Sequence, residues 1–129
     1  MTTELYYLAL VAVITTLMWI PYGMSLTLGQ GLTAGLGNRD QVKPLDPWAE
    51  RAKRAHGNAV ENLVVFGALV LVAHGAGVHN GTTEWAAVIY FWMRLAHYAS
   101  YAFGIIGLRT VVWSIAWLCQ IAIAWQVLA

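Results

Sequence analysis

Residues 50–62 read ERAKRAHGNAVEN and continue, without a turn signal, into the apolar run LVVFGALVLVA at residues 63–73. If one helix continues through both segments, its charged face leads directly into an apolar stretch that is typical of a membrane-spanning helix. An ionisable side chain at the centre of a membrane helix costs about 2.5–3.5 kcal/mol on insertion scales, so such groups persist where they are paired, hydrated or used. The polar residues of this helix are therefore the first candidates for a functional site.

The composition of the whole chain is typical of a membrane protein with short loops. Of its 129 residues, 60% are hydrophobic and 10% are charged, whereas a soluble domain has about 25% charged residues. The mean hydropathy is +0.62. A net charge of +1 indicates no nucleic-acid partner. The single cysteine, Cys119, excludes an intrachain disulfide, and we expect it to pack as a small apolar residue.

Four segments of the chain are long enough to cross a bilayer at about 20 residues a crossing. We therefore predict an all-α integral membrane protein, with residues 1–129 forming one bundle of four transmembrane helices. Asp46 and Pro47 suit the N-cap and the first position of the second helix. The only long connection is the glycine-containing segment 25–46. The predicted spans are residues 5–24, 48–73, 83–106 and 108–128.

The basic residues outside the spans favour one orientation of this bundle. They lie around the first and third connections, whereas the second connection, residues 75–84, has no lysine or arginine. The positive-inside rule then places the first and third connections in the cytoplasm and both termini outside it. The short loops favour a bacterial inner membrane. The basic residues concerned are Arg39, Lys43, Arg51, Lys53, Arg54 and Arg109.

Two of the predicted helices carry a polar stripe. Spacings of 3 and 4 residues place each set of side chains on one helix face. Because the two helices are antiparallel, Glu61 is expected to meet Arg94 as a buried ion pair. The stripe of the second helix consists of Arg51, Arg54, Asn58 and Glu61, and that of the third helix of Arg94, His97 and Tyr101.

The polar residues beyond that pair are suited to an anionic ligand that contains amide groups. Guanidinium groups bind carboxylates, and an asparagine side chain binds peptide groups. A hydrogen-bonded polar core that locks the helices together is an equally good interpretation of the spacing. The residues concerned are Arg54, Asn58, His97, Tyr101 and Arg109.

Other polar residues have simpler interpretations. His74 and His79 lie at no ligand spacing with a cysteine or a carboxylate cluster, so no metal site is predicted. His56 is expected to be solvated near the interface. Gln120, inside the fourth span, is expected to hydrogen-bond a neighbouring helix.

Both stripes resemble the motifs of one known family. The pattern E-R-x-x-R-A-x-x-N-x-x-E at residues 50–61, followed by Phe66, is similar to the signature of the MAPEG family, the membrane-associated proteins in eicosanoid and glutathione metabolism. The pattern R-x-x-H-x-x-x-Y at residues 94–101, followed by Arg109, resembles the third- and fourth-helix motifs of microsomal glutathione transferases and prostaglandin E synthase. The resemblance covers nearly the whole chain.

This resemblance implies a homotrimer with glutathione, the co-substrate, bound between neighbouring subunits on the cytoplasmic side. The implied function is that of a glutathione transferase or peroxidase, acting on lipophilic electrophiles or lipid hydroperoxides that enter from the membrane lipid. Arg109 matches the arginine that stabilises the glutathione thiolate, the nucleophile of such reactions. The positions that match glutathione-binding residues or their immediate neighbours are Arg54, Asn58, Glu61, Arg94, His97 and Tyr101.

Three positions differ from the family pattern. Gly57 occupies a position where some relatives have an arginine, and Trp113 one where the prostaglandin synthase branch has a tyrosine. Residues 21–30 lack the basic residue that eukaryotic relatives place at the end of the first helix. The alternative hypothesis is a non-catalytic trimeric membrane protein that uses the polar cluster for assembly, or for binding a lipid or another amphiphile.

Overall fold

A computed structural model describes all 129 residues, and every regular element in it is helical, which confirms the predicted all-α class. The helix that begins with the charged segment is continuous into the apolar run, as its sequence indicates. The elements are α1 Thr3–Leu17, α2 Trp19–Gln30, α3 Leu32–Leu36, α4 Pro47–Gly75, α5 Gly81–Ala102 and α6 Ile106–Leu128.

Helices α1 and α2 follow one another almost without interruption, separated only by Met18. Helix α2 extends past the predicted end of the first span, because Pro21 lies in its first turn, where a missing backbone N–H is tolerated. Gly31, with a φ of 95°, ends the helix. The predicted connection at 25–46 therefore begins with helical residues, and it also contains the short helix α3.

Three helical segments are long and apolar enough to cross a membrane, namely Thr3–Gln30, Pro47–Gly75 and Ile106–Leu128. Helix α5, which corresponds to the predicted third span, is not among them. It lies against α1, α4 and α6, and it buries the side chains of Arg94, His97 and Ser100 within the bundle. Helix α5 is therefore less apolar than the other three long segments because its polar side chains face the interior of the bundle.

The helix starts have identifiable causes. Helix α4 begins at Pro47, as the Asp46-Pro47 pair predicts, although the Asp46 side chain makes no capping hydrogen bond. Helix α5 begins with a capping box, in which the Asn80 side chain accepts from the backbone of Thr83 and the Thr83 hydroxyl accepts from the backbone of Asn80. This motif fixes the chain reversal between α4 and α5.

The core combines closely packed alanines with a few large side chains. On α4, Ala52, Ala55 and Ala59 are buried, and small residues of this kind let helix backbones approach one another. Phe66 of α4 stacks on Tyr90 of α5, with ring centroids 3.8 Å apart. Cys119 packs in the same core, which confirms its predicted role.

The outward surface of the bundle is strongly apolar. Large hydrophobic side chains are exposed on helices α1, α4 and α6, as on a protein in contact with lipid. Among them are Val13, Val64, Leu71, Val111, Trp117 and Leu118.

One end of the bundle is closed by an acidic group. Glu4 is only 2% exposed, and it accepts a 2.5 Å hydrogen bond from the Thr83 hydroxyl. Its Oε1 lies 3.7 Å from Nδ1 of His79. These contacts join the start of α1 to the start of α5.

Candidate functional site

The basic residues and the candidate site lie at the end of the bundle opposite Glu4. The Arg51 side chain of α4 donates a 3.0 Å hydrogen bond from Nε to the backbone oxygen of Ala102 at the end of α5. This contact places the start of α4, the end of α5 and the start of α6 together. The three-residue turn between α5 and α6 contains Gly104, with a φ of 76°.

A polar cleft of about 270 Å³ lies between α4, α5 and α6 at this end. It contains four of the seven predicted site residues, one from α4, two from α5 and one from α6. We refer to it as the polar cleft. Its lining residues are Asn58, His97, Tyr101, Arg109, Thr110 and Trp113.

The Arg109 side chain is held by an aromatic ring within the polar cleft. Its guanidinium carbon lies 4.6 Å from the centroid of the Tyr101 ring, which is a cation–π contact. The His97 ring packs edge-on against Tyr101, at 78° and a centroid distance of 5.6 Å. No carboxylate lies within 4.0 Å of the Arg109 guanidinium, since the only contact of this kind in the chain is that of Glu4 with His79. The positive charge of Arg109 therefore faces the cleft without a carboxylate partner.

A second arginine, Arg94, is buried behind the cleft and is only 1% exposed. Its Nη2 donates a 2.8 Å hydrogen bond to Oδ1 of Asn58, whereas Nε and Nη1 have no hydrogen-bond partner. His97 Nδ1 is likewise buried without a partner. Buried polar groups are normally paired. Three of the four unpaired buried side-chain atoms of the chain belong to Arg94 and His97, and the fourth is Oε2 of Glu4 at the other end.

The predicted ion pair between Glu61 and Arg94 does not form within the chain. Glu61 is exposed on α4, and Arg94 is bound instead by Asn58, three residues earlier on the same helix. Three residues rotate an α-helix by about 300°, so Glu61 is turned roughly 60° away from Asn58. Spacing alone predicts that Asn58 and Glu61 lie on one face of α4. In the packed bundle only Asn58 faces Arg94 of α5.

The polar contacts continue from the cleft into the middle of the bundle. Asn62 donates to the backbone oxygen of Asn58 at 2.9 Å. Gln120 of α6 donates to the backbone oxygen of Asn62 at 3.2 Å and lies 3.4 Å from the Tyr90 hydroxyl. The prediction that Gln120 bonds a neighbouring helix is confirmed. Asn62 was not among the residues predicted from the sequence, although its position one helical turn after Asn58 was a signal for it.

Three of the four residues of the predicted α4 stripe lie outside the polar cleft. Arg54 and Glu61 are both exposed, and neither lines the cleft. Arg51 is half-buried and engaged with the end of α5. Arg54 and Glu61 therefore lie on the exposed surface of α4, Arg51 contacts the end of α5, and only Asn58 lines the polar cleft.

Thr110 and Trp113 also line the cleft on α6. The Thr110 hydroxyl donates to the backbone oxygen of Ile106 at 3.3 Å, so it is already engaged. The Trp113 indole is partly exposed and adds an apolar wall. The remaining donors of the cleft are a guanidinium, an amide, an imidazole and a phenol, which is a set suited to a peptide that bears carboxylates or a thiolate.

The sequence model of the MAPEG family matches residues 3–129, which is essentially the whole chain. The chain belongs to the MAPEG family, and the resemblance seen in the two polar motifs is confirmed. Among curated proteins, no sequence matches the chain significantly. The family contains glutathione transferases and peroxidases as well as non-catalytic members. Together with the apolar helices, membership identifies an integral membrane protein.

Proposed function

We propose that this MAPEG protein is a membrane-bound glutathione transferase or peroxidase, which activates the glutathione thiol for attack on lipophilic electrophiles or lipid hydroperoxides. The observation that carries the proposal is the polar cleft, in which Asn58, His97, Tyr101 and Arg109 are gathered from three helices. In this proposal Arg109 is the catalytic residue, and the other three bind the tripeptide.

Arg109 would stabilise the reactive form of the thiol. A free thiol has a pKa of about 8.5, and a neighbouring guanidinium lowers it. The thiolate then attacks an electrophilic carbon, and the leaving group departs with the bonding electron pair. With a hydroperoxide, the thiolate attacks the outer oxygen, the O–O bond breaks to give an alcohol and a sulfenic acid, and a second glutathione reduces the sulfenic acid to a disulfide and water.

Asn58 is prepared to donate hydrogen bonds to the ligand. Its Oδ1 accepts from Arg94 at 2.8 Å and lies 3.3 Å from Nδ2 of Asn62. The amide N–H groups of Asn58 are therefore the part of the side chain available to a glutathione carboxylate or carbonyl group. Arg94 acts here as a positioning residue behind the cleft.

We also propose a homotrimer of four-span subunits, with α5 as the third span. Glu61 is exposed on α4 within a span, and a charge facing lipid at mid-depth costs about 2.5–3.5 kcal/mol. Contact with a neighbouring subunit removes this cost. The polar cleft, at about 270 Å³, is also smaller than the usual 300–1,000 Å³ of small-molecule sites. In the trimer, the exposed Arg54 and Glu61 would complete the glutathione site.

The orientation follows from the distribution of charge. The cleft, the connection after α2 and the start of α4 share one end of the bundle, and this end carries the basic residues. We propose that it faces the cytoplasm, with both termini on the other side, in a bacterial inner membrane.

The test uses purified protein, glutathione and a halonitrobenzene. We expect an ultraviolet thiolate signal at millimolar glutathione and formation of the conjugate. Arg109→Ala removes the charge and is expected to abolish the thiolate signal, whereas Arg109→Lys, the matched control, retains a large part of it. The enzyme proposal is wrong if no thiolate signal appears and Arg109→Ala changes nothing.

The alternative is a non-catalytic MAPEG trimer that uses the polar residues for assembly or for binding an amphiphile. It is supported by the chain of contacts through Arg94, Asn58, Asn62 and Gln120, which already joins α5, α4 and α6. Under this alternative, Arg94→Leu reduces the trimer fraction in native mass spectrometry, and glutathione gives no thiolate signal with any variant.

A further inference from the structure

A second cleft, of about 350 Å³, lies at the same end of the bundle and shares no lining residue with the polar cleft. It is formed by the middle of α2, the connection before α4 and the first turns of α4. We refer to it as the basic cleft. Its charged and polar lining residues are Tyr22, Arg39, Lys43, Glu50 and Lys53.

The basic cleft carries uncompensated positive charge. Three cations, Arg39, Lys43 and Lys53, line it with only one carboxylate, Glu50. None of the three cations forms an ion pair within the chain. Glu50 is already used, because its Oε1 accepts a 3.3 Å hydrogen bond from the backbone N–H of Leu45. An anion entering the cleft therefore meets a net positive field.

The connection that supplies two of these cations is tied in place. The Gln30 side chain at the end of α2 donates to the backbone oxygen of Lys43 at 2.8 Å and accepts from the backbone N–H of Lys43 at 2.9 Å. The contact of Glu50 with Leu45 fixes the same connection to α4. Arg39 adopts a φ of 64° and donates to the backbone oxygen of Gly35 at 3.2 Å. The basic cleft is thus formed by the fold before any ligand binds.

The side of the cleft towards α4 contains a further polar pair. The Tyr22 hydroxyl and Nδ1 of His56 share a 2.7 Å hydrogen bond. His56, expected from the sequence to be solvated, is half-buried because the Tyr22 side chain of α2 packs against it. Leu26, Val42 and Leu45 form an apolar part of the lining.

The position of the cleft corresponds to the headgroup layer of a bilayer. The segments Thr3–Gln30 and Pro47–Gly75 have 28 and 29 residues, or about 42 and 43 Å of helix, against a hydrocarbon core of about 30 Å. Their adjoining ends therefore extend beyond the hydrocarbon. Trp48, in the first turn of α4, is 41% exposed, and exposed tryptophans mark the membrane interface.

We propose that the basic cleft binds the phosphate of an anionic phospholipid, of the phosphatidylglycerol or cardiolipin type. Arg39, Lys43 and Lys53 contact the phosphate, and the apolar lining contacts the glycerol and the first acyl carbons. Such basic pockets between membrane helices are suited to anionic headgroups. A bound lipid contacts both the connection before α4 and α4 itself, and these contacts hold the connection more firmly in place. Free phosphate has the same charge chemistry but makes no use of the apolar lining or of the membrane position.

The experiment is native mass spectrometry of the protein, extracted from nanodiscs with about one phosphatidylglycerol for every three phosphatidylcholine molecules, a composition that resembles an anionic leaflet. The test variants are Arg39→Gln and Lys53→Gln. Gln41→Ala is the control, since Gln41 is an exposed polar residue of the same connection but does not line the basic cleft. Inorganic phosphate and glycerol phosphate are added as soluble competitors.

We expect retained phosphatidylglycerol on the wild type and on Gln41→Ala, and roughly five- to tenfold weaker retention on each test variant. Equal retention on all four proteins, or equal retention of phosphatidylcholine, overturns the proposal. Complete displacement by millimolar inorganic phosphate also overturns it, in favour of a soluble phosphate site. Displacement by glutathione would instead assign the cleft to the glutathione site. The thiolate signal of Arg109 tests the proposed enzyme function separately.

Discussion

Arg94 of α5 donates a 2.8 Å hydrogen bond to Oδ1 of Asn58 on α4, and this is the only hydrogen bond that its side chain makes. The contact links a buried guanidinium directly to the wall of the polar cleft. It holds the Asn58 amide in one orientation. The stability of the bundle and the donor geometry of the proposed glutathione site therefore depend on the same two residues.

Replacing Asn58 by leucine is expected to destabilise the protein by about 1.5–3 kcal/mol, because it leaves the Arg94 charge buried without a partner. The double variant Asn58→Leu with Arg94→Leu is expected to recover most of that loss, since no unpaired polar group remains. Unfolding in mixed detergent micelles measures the difference. If the double variant is no more stable than Asn58→Leu alone, the contact does not carry the stability assigned to it.

The pH dependence of the proposed thiolate tests the role of Arg109. A nearby cation favours the charged thiolate, so the apparent pKa of bound glutathione lies below the free value of about 8.5. In Arg109→Ala the midpoint of the thiolate absorbance is expected to move upward towards the free value. The signal at neutral pH is then lost, and it returns as the pH rises. An unchanged midpoint in Arg109→Ala would remove Arg109 from the thiolate site.

Glu61 tests the proposed subunit contact. Glu61→Gln removes a charge from an exposed position on a membrane-spanning helix. We expect weaker glutathione binding together with a changed trimer fraction, measured by calorimetry and native mass spectrometry. Glu84→Gln is a control of the same chemistry on an exposed site near the other end. Equal effects of the two substitutions would contradict a specific role of Glu61.

The opposite end of the bundle offers a stability prediction independent of function. Thr83→Val removes the hydroxyl that donates to the buried Glu4 carboxylate, and we expect a loss of about 1.5–3 kcal/mol, as for other hydrogen bonds to charged groups. Thr82→Val is the matched control, because Thr82 is exposed. The two thermal unfolding temperatures are compared in the same detergent, and the Thr83 variant is expected to unfold at the lower one.

Cysteine labelling tests the orientation. Since Cys119 is the single cysteine, a Cys119→Ala background allows one thiol to be introduced at a time. In intact cells, Asn38→Cys in the connection before α4 is expected to resist a membrane-impermeant thiol reagent. Gly81→Cys at the other end is expected to react. The reverse pattern would invert the proposed topology.

The sequence was sufficient for those features that depend on local patterns. Asp46 and Pro47 marked the start of α4, and the two polar motifs identified the family before any contact was known. The position of Gln120 on an apolar helix was enough to predict its hydrogen bond to a neighbouring helix. These features follow from helical periodicity and from the high cost of an unpaired polar group in an apolar setting.

The partners of the polar groups could not be derived in the same way. Asn58 and Glu61 share a stripe by spacing, but only Asn58 reaches Arg94. The basic cleft could not be predicted from the sequence either. Lys53 lies near Arg39 and Lys43 because the Gln30 side chain holds the connection against the end of α2.

Local patterns along the chain were enough to predict the helices, their apolar surfaces, the family and the residues available for chemistry. Which of those residues contact one another became clear only from the packing of the helices, which brings Asn58 to Arg94 and Arg109 to Tyr101. The physical reason is that periodicity fixes the face of a side chain only to within about 60° on a helix, whereas a hydrogen bond requires its two atoms to lie within about 3 Å. That difference is resolved only by how the helices are rotated and packed against one another.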